Sequence, residues 1–158
     1  MDGALVFVYG TLKAGEPNHR LLMDEQTGLA RLVAPAVTER RLPLVIASRY
    51  NIPYLVDAPG QGHRVRGELY AVDVAKLAWL DRFEGVPRHY ERCAESVVRL
   101  DAAGGATVAA QAYLLRKPKP FMLRLPMMEE YSSRGPHGLE YRSDESLSGA
   151  SDIEEVAG

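Results

Sequence analysis

Glu84 is the residue in this sequence best placed to carry a proton. It follows Val74 to Phe83, a segment in which Leu77 and Leu80 recur with Glu84 on one helical stripe. Asp73 is a good N-cap for that helix, and Gly85 ends it as a C′ glycine does. A carboxylate in the last turn meets the negative end of the helix dipole. Asp81, three residues earlier, adds a like charge, and the apolar stripe implies partial burial. All three effects raise a carboxyl pKa, and a raised pKa suits a general acid and base working near neutrality. An exposed glutamate in a fraying last turn is the plainer reading of the same residues.

The second constellation is Tyr9-Gly10-Thr11-Leu12-Lys13-Ala14-Gly15. A β-prone apolar run, Leu5 to Tyr9, stops at a glycine, and backbone N–H groups in such a loop can form an anion nest. Gly10 and Gly15 have the spacing of a phosphate loop, but Glu16 and Pro17 occupy the places of its Lys and Ser/Thr. Nucleotide binding is thereby excluded. A smaller anion such as a carboxylate fits, and so does an ordinary strand-to-loop turn.

Other residues carry less. Glu68 alternates with Arg66 and Tyr70 on a strand face, where an ion pair accounts for it; it stands as a reserve acid. Cys93 and His89 lie four apart on a strand, too far for a nucleophile and its base, so a buried, inert thiol is expected. The four histidines have no metal-ligand spacing, and no metal is expected. Trp79 reads as packing. Gly135-Pro136-His137-Gly138 reads as a terminal loop, or as one folding over a pocket mouth with His137 or Tyr131 on its rim.

These residues need elements to position them. Strands are expected at Leu5–Tyr9, Leu29–Thr38, Leu44–Ala47, Tyr54–Val56, Val65–Val72, Arg88–Leu100 and Thr107–Arg116, with Gly104-Gly105 turning the last pair. Pro35 points to an edge strand. A short helix is expected at His19–Met23, and Pro118, Pro120 and Pro126 prevent a long C-terminal one. The fold class is α+β: a small closed or nearly closed barrel with a helix against it.

The 158 residues make one domain, 46% hydrophobic and 25% charged. One cysteine cannot form a bridge within the chain. No apolar run approaches the ~20 residues that cross a bilayer, and no secretory signal opens the chain. A cytoplasmic monomer is expected, with neither membrane nor nucleic acid as partner. The domain spans 1–142. Residues 143–158 hold five acids and no base, leaving 19 bases against 16 acids before them. That tail reads as disordered and dispensable.

Tyr9-Gly10-Thr11-Leu12 after an opening strand, Glu84-Gly85 closing a helix and Tyr90 six residues on together resemble the gamma-glutamyl cyclotransferase superfamily. The string Val8 to His19, Asn51-Ile52-Pro53 and Gly135 to Leu139 look most like its gamma-glutamylamine branch. The resemblance runs from about Val6 to about Tyr141. It implies a small mixed β-barrel with flanking helices, no cofactor, and release of 5-oxoproline from a small gamma-glutamyl substrate, here L-gamma-glutamyl-epsilon-lysine. It also implies Glu84 as the proton shuttle, Tyr9, Gly10, Thr11 and Leu12 as binders of the gamma-glutamyl head, and Tyr90 as a polar wall residue. The alternatives are gamma-glutamyl-alpha-amino acids or glutathione as substrate, or a non-catalytic ligand-binding module on the same barrel.

Overall fold

The computed structural model describes residues 3–86, 90–101, 105–142 and 156. Five strands close a mixed barrel in the order β1 (Gly3–Val8), β5 (His63–Asp73), β2 (Ala30–Leu42), β6 (Glu91–Arg99), β7 (Thr107–Leu114). Neighbours are antiparallel except β1 and β7, whose parallel pairing at Val6 and Gln111 closes the ring. A separate hairpin, β3 (Leu44–Ala47) with β4 (Ile52–Leu55), lies outside it. Among the described residues, the helices that flank the barrel are the single-turn α1 (His19–Leu22) and α2 (Val74–Phe83).

The long β5 is the spine. It pairs with β1 along one edge, Val6 opposite Tyr70 and Phe7 opposite Leu69, and with β2 along the other. Gly67 is required there: a Cβ would lie 2.4 Å from the Val8 carbonyl oxygen. Period two divides the apolar residues between two clusters. Phe7, Leu69, Val97, Ala112 and Leu114 fill one; Val6, Val8, Tyr70, Val72 and Leu80 fill the other, beneath α2. Each fully buried apolar side chain of this size contributes about 1.5–3 kcal/mol relative to exposure.

α2 begins where the sequence places it. Asp73 Oδ1 accepts from the Lys76 N–H at 2.8 Å, and Gly85 adopts φ 67° just past the end. Lys76 is fully buried at the start of this helix. Its ammonium donates to the Asp24 carbonyl at 2.9 Å and to Thr27 Oγ1 at 2.6 Å, and lies 5.0 Å from the centre of the Trp79 ring. Burial lowers its pKa. These bonds tie α2 to the short 3-10 turn Glu25–Thr27.

The structure corrects several expectations. β2 is not an edge strand, because barrel closure gives it partners on both sides. Pro35 lies one residue before the pairing with β6 begins at Ala36, so its missing N–H falls at the end of that ladder, where its carbonyl still accepts from the Leu100 N–H at 2.9 Å. Cys93 is half-buried rather than buried, with Sγ 3.7 Å from the Glu91 carbonyl oxygen. Glu68 does not sit in an exposed ion pair: Oε1 accepts from the Ala14 N–H at 2.8 Å and from the Tyr70 hydroxyl at 3.0 Å. The expected start of β6 at Arg88, the residue His89 and Gly104 lie outside the described residues. So does the acidic tail apart from Val156, which is buried in the cluster beneath α2 and accepts from the Lys119 N–H through its carbonyl at 2.6 Å. A tail without contacts does not describe that residue.

Candidate active site

The end of β1 and the end of α2 meet at one cavity of about 260 Å³. Tyr9, Gly10, Thr11 and Leu12 line it from the β1 side and Leu80, Phe83 and Glu84 from α2; Tyr90 lies before β6, and Tyr113 belongs to β7. All six residues singled out from the sequence therefore border the same space. They come together because β5 runs antiparallel to β1 and ends opposite Gly3, and the ten-residue α2 that follows then carries Glu84 back to the end of β1. Ile52 and Pro53 of β4 cover it from outside the barrel. Pro53 is the reason for the glycine at position 10, since a Cβ there would lie 2.8 Å from Pro53 Cγ.

The loop after Tyr9 is folded on itself. The Lys13 N–H donates to the Gly10 carbonyl at 3.1 Å, the Asn18 N–H to the Thr11 carbonyl at 2.8 Å, and Asn18 Nδ2 to Thr11 Oγ1 at 3.1 Å. With Ala14 held by Glu68, the N–H groups of Gly10, Thr11 and Leu12 make no hydrogen bond to other described residues. Lys13 is turned away: its buried ammonium donates to the Tyr131 carbonyl at 2.6 Å and pairs with Glu130 at 3.8 Å. An anion in this loop would thus meet backbone donors and no ammonium from Lys13.

Glu84 is half-buried at the C-cap of α2, and its own N–H donates to the Leu80 carbonyl at 2.8 Å. Its charge is felt across the cavity. Burial holds the Tyr9 phenol well above its ordinary pKa, and the Glu84 carboxylate raises it further. Burial, the hydrogen bond to Asp81 and the Asp81 charge do the same to Tyr113, with Glu84 adding to them. Both phenols stay protonated and spend their hydrogens inside the protein: Tyr9 donates to the Tyr113 carbonyl at 2.7 Å, Tyr113 to Asp81 at 2.8 Å. Tyr90 is buried and stacks on Tyr54, ring centres 5.9 Å apart.

Neither His137 nor Tyr131 reaches the rim. Tyr131 is buried in the barrel cluster, and His137 braces its own turn, with Nε2 2.7 Å from the Ser132 carbonyl oxygen and Nδ1 accepting from Leu139 at 2.8 Å. The residue from this end of the chain that does line the cavity is Tyr141. Sequence reasoning missed it, along with Asn18, Phe83 and Tyr113. Tyr113 alternates in register along β7 and could have been placed by period two; Tyr141 lies in irregular chain and carries no such signal. Among the described residues, no three His, Cys, Asp or Glu side chains converge as metal ligands would.

Residues 6–133 match the family described as Gamma-glutamyl cyclotransferase, AIG2-like. The chain belongs to this family. It is similar to the gamma-glutamylaminecyclotransferase of Rattus norvegicus, with 44% identity over 90% of this chain and 98% of the rat protein. The protein of that name from Homo sapiens is 45% identical over the same shares. The crystal structure of an aig2-like protein from Mus musculus superposes with a TM-score of 0.88, at 44% identity, over 92% of this chain and 99% of the mouse chain. The family resemblance, the mixed barrel and the enzyme class expected from the sequence are borne out. This is a cyclotransferase family acting on small gamma-glutamyl substrates, and among the described residues no helix is long and apolar enough to cross a membrane.

Proposed function

We propose that this cyclotransferase releases 5-oxo-L-proline and lysine from L-gamma-glutamyl-epsilon-lysine, with Glu84 carrying the proton. The observation that supports this most is that Glu84 borders one cavity with Gly10, Thr11 and Leu12, whose N–H groups make no hydrogen bond to other described residues. The substrate's alpha-amine attacks its own gamma-carbonyl. A C–N bond forms within the glutamyl head, and the C–N bond to the departing amine breaks. Because the nucleophile is tethered, much of the entropic cost of meeting is already covered. What the protein adds is proton transfer. Glu84 takes the proton from the attacking amine and returns it to the departing nitrogen, so the carboxylate is regenerated. The loop N–H groups bind the head's carboxylate and face the charge that develops on the gamma-carbonyl oxygen. Tyr90 walls the pocket.

The walls support lysine as the departing amine. Ile52, Pro53, Phe83, Tyr113 and Tyr141 are apolar or aromatic, and no Lys, Arg or His among the described residues lines the cavity. A gamma-glutamyl-alpha-amino acid carries a carboxylate one carbon from the departing nitrogen, and glutathione carries a peptide group there with its carboxylate one residue further on. Such a carboxylate finds no cation here and loses its water. The lysine side chain presents methylenes instead, which suit such walls. The relatives' name, gamma-glutamylaminecyclotransferase, points the same way.

The test is 5-oxoproline release from gamma-glutamyl-epsilon-lysine, gamma-glutamyl-alanine and glutathione. The isodipeptide is expected to be turned over and the other two at least tenfold less efficiently; equal or reversed preference would overturn the assignment. The cytoplasmic, monomeric state expected from the sequence belongs to this proposal, and gel filtration and cell fractionation check it.

A further inference from the structure

Residues 131–142 form an irregular strap that touches both loops framing the cavity. On one side the Lys13 ammonium donates to the Tyr131 carbonyl at 2.6 Å, and Glu16 Oε1 accepts from the Ser133 N–H at 2.8 Å. On the other, Asn51 Nδ2 donates to the Glu140 carbonyl at 2.8 Å, and the Arg142 N–H to the Tyr50 carbonyl at 2.8 Å. Between these anchors the Tyr141 N–H donates to Ser133 Oγ at 2.9 Å. The outcome of this bracing is a half-buried Tyr141 on the cavity wall.

The hydroxyls around the cavity are not equivalent. Those of Tyr9 and Tyr113 are committed to the Tyr113 carbonyl and to Asp81. That of Tyr141 makes no hydrogen bond to another described residue. A phenol left open on a cavity wall is a donor and acceptor available to a ligand.

Location decides which part of the ligand it meets. The partners for the glutamyl head, Gly10 to Leu12 and Glu84, come from the ends of β1 and α2. Of the remaining wall, Ile52 and Pro53 of β4 and Tyr141 of the strap lie outside the barrel. We propose that Tyr141, held in place by Ser133, contacts the departing amine of a gamma-glutamylamine and selects for amines longer than one carbon. This rests on the cyclotransferase reading above. Ser133 acts through Tyr141 and is a positioning residue.

The experiment compares gamma-glutamyl-epsilon-lysine with gamma-glutamylmethylamine, whose departing amine is too short to reach the strap. Y141F is expected to raise KM for the isodipeptide about 2- to 10-fold, the range of one lost hydrogen bond, with kcat little changed. Y141A is expected to raise it about 10-fold or more, and S133A to shift it in the same direction as Y141F. KM for the methylamine compound stays at the wild-type value throughout. Equal KM changes for both substrates, or none for either, overturn the inference. Should Y141A fail to fold, Y141F decides alone. Absence of 5-oxoproline release by the wild-type chain would refute the reading of function separately. Direct binding of the isodipeptide to E84Q and to E84Q/Y141F then tests Tyr141 by itself: weaker binding to the double variant supports the contact, and equal or absent binding overturns it.

Discussion

Tyr113 donates its hydroxyl hydrogen to Asp81 Oδ1 at 2.8 Å, and Arg92 Nε reaches the same oxygen at 2.8 Å. The acid one turn before Glu84 is therefore directed toward β7 and β6 and is neutralised there. The like charge that the sequence placed beside Glu84 is compensated, and the phenol at the cavity wall is fixed in its rotamer. Asp81→Ala leaves the buried Tyr113 hydroxyl without its acceptor and Arg92 without its charge partner. An unsatisfied buried hydroxyl costs about 1–3 kcal/mol. At about 2–4 °C per kcal/mol for a chain of this size, thermal melting of D81A is expected several degrees below wild type. An unchanged melting temperature would remove this pair from the framework of the site.

Glu84→Gln keeps the size of the side chain and removes the proton it exchanges. The C-cap is preserved, because the capping bond runs from the Glu84 backbone N–H to Leu80. Melting is expected to stay within a few degrees of wild type, while 5-oxoproline release falls about 10²–10⁴-fold. Near-normal turnover in steady-state assays would take the proton role away from this residue.

Glu68 separates a structural acceptor from a chemical acid. One oxygen takes both the Ala14 N–H and the Tyr70 hydroxyl, and a glutamine amide oxygen can do the same. Glu68→Gln is expected to retain activity. Glu68→Ala releases the far end of the Gly10 loop and is expected to raise KM several-fold with a smaller change in kcat. A loss in E68Q as large as in E84Q would make Glu68 the proton carrier.

The residues proposed to carry this chemistry were legible for local reasons. Asp73, the Leu77–Leu80 stripe and Gly85 are capping and periodicity signals within about a dozen residues, and they locate Glu84 with no knowledge of the rest of the chain. Tyr9 and Gly10 likewise mark a strand end. The outer wall was not legible, because Asn51 finds Glu140 and Tyr50 finds Arg142 across long stretches of sequence, and neither partner belongs to a periodic segment. Pro35 misled for a similar reason. Whether a proline N–H is missed depends on where the neighbouring strand's pairing starts, and β6 starts one residue later. The partners of Glu68 depend on where the Gly10 loop returns to β5, which composition does not record.

Alkaline pH should unfold the protein through its phenols. Tyr9, Tyr70, Tyr113 and Tyr131 are all raised above the ordinary value of 10.0, each first by burial, and Tyr131 is pushed up to about 12. Above pH 10 the unfolded chain gives up these protons while the native one retains them. The native state then binds more protons, so stability is complete below about pH 10 and is lost as pH rises beyond it. Lys76 is lowered by burial and acts with the opposite sign, but it is one group against four. Melting temperature is expected to fall steeply above pH 10, with much of the phenolate absorbance at 295 nm appearing only with unfolding. Full tyrosine ionisation near pH 10 in the folded protein would contradict the burial of these hydroxyls.

The last residues of the chain are expected to contribute to stability and not to turnover. The five acids between Ser143 and Gly158 pointed to a dispensable tail. Yet Val156 is fully buried in the same apolar cluster as Met122 and Leu115, and its carbonyl accepts from the Lys119 N–H at 2.6 Å. Burial of a valine contributes about 1.5–3 kcal/mol before the entropy of ordering the segment is subtracted. The Lys119 N–H, which precedes the 3-10 turn Pro120–Arg124, would have to find water instead. Truncation after Arg142, which keeps the Arg142 N–H bond to Tyr50 that braces the cavity wall, should therefore lower the melting temperature by a few degrees. Val156→Ala should reproduce part of that fall, because it keeps the backbone bond and removes only two methyl groups. Turnover at 25 °C should be unaffected, since Tyr141 is the last described residue lining the cavity. An unchanged melting temperature in both variants would return the tail to the dispensable role its composition implied, whereas a loss of turnover with no loss of stability would place part of the tail in the site.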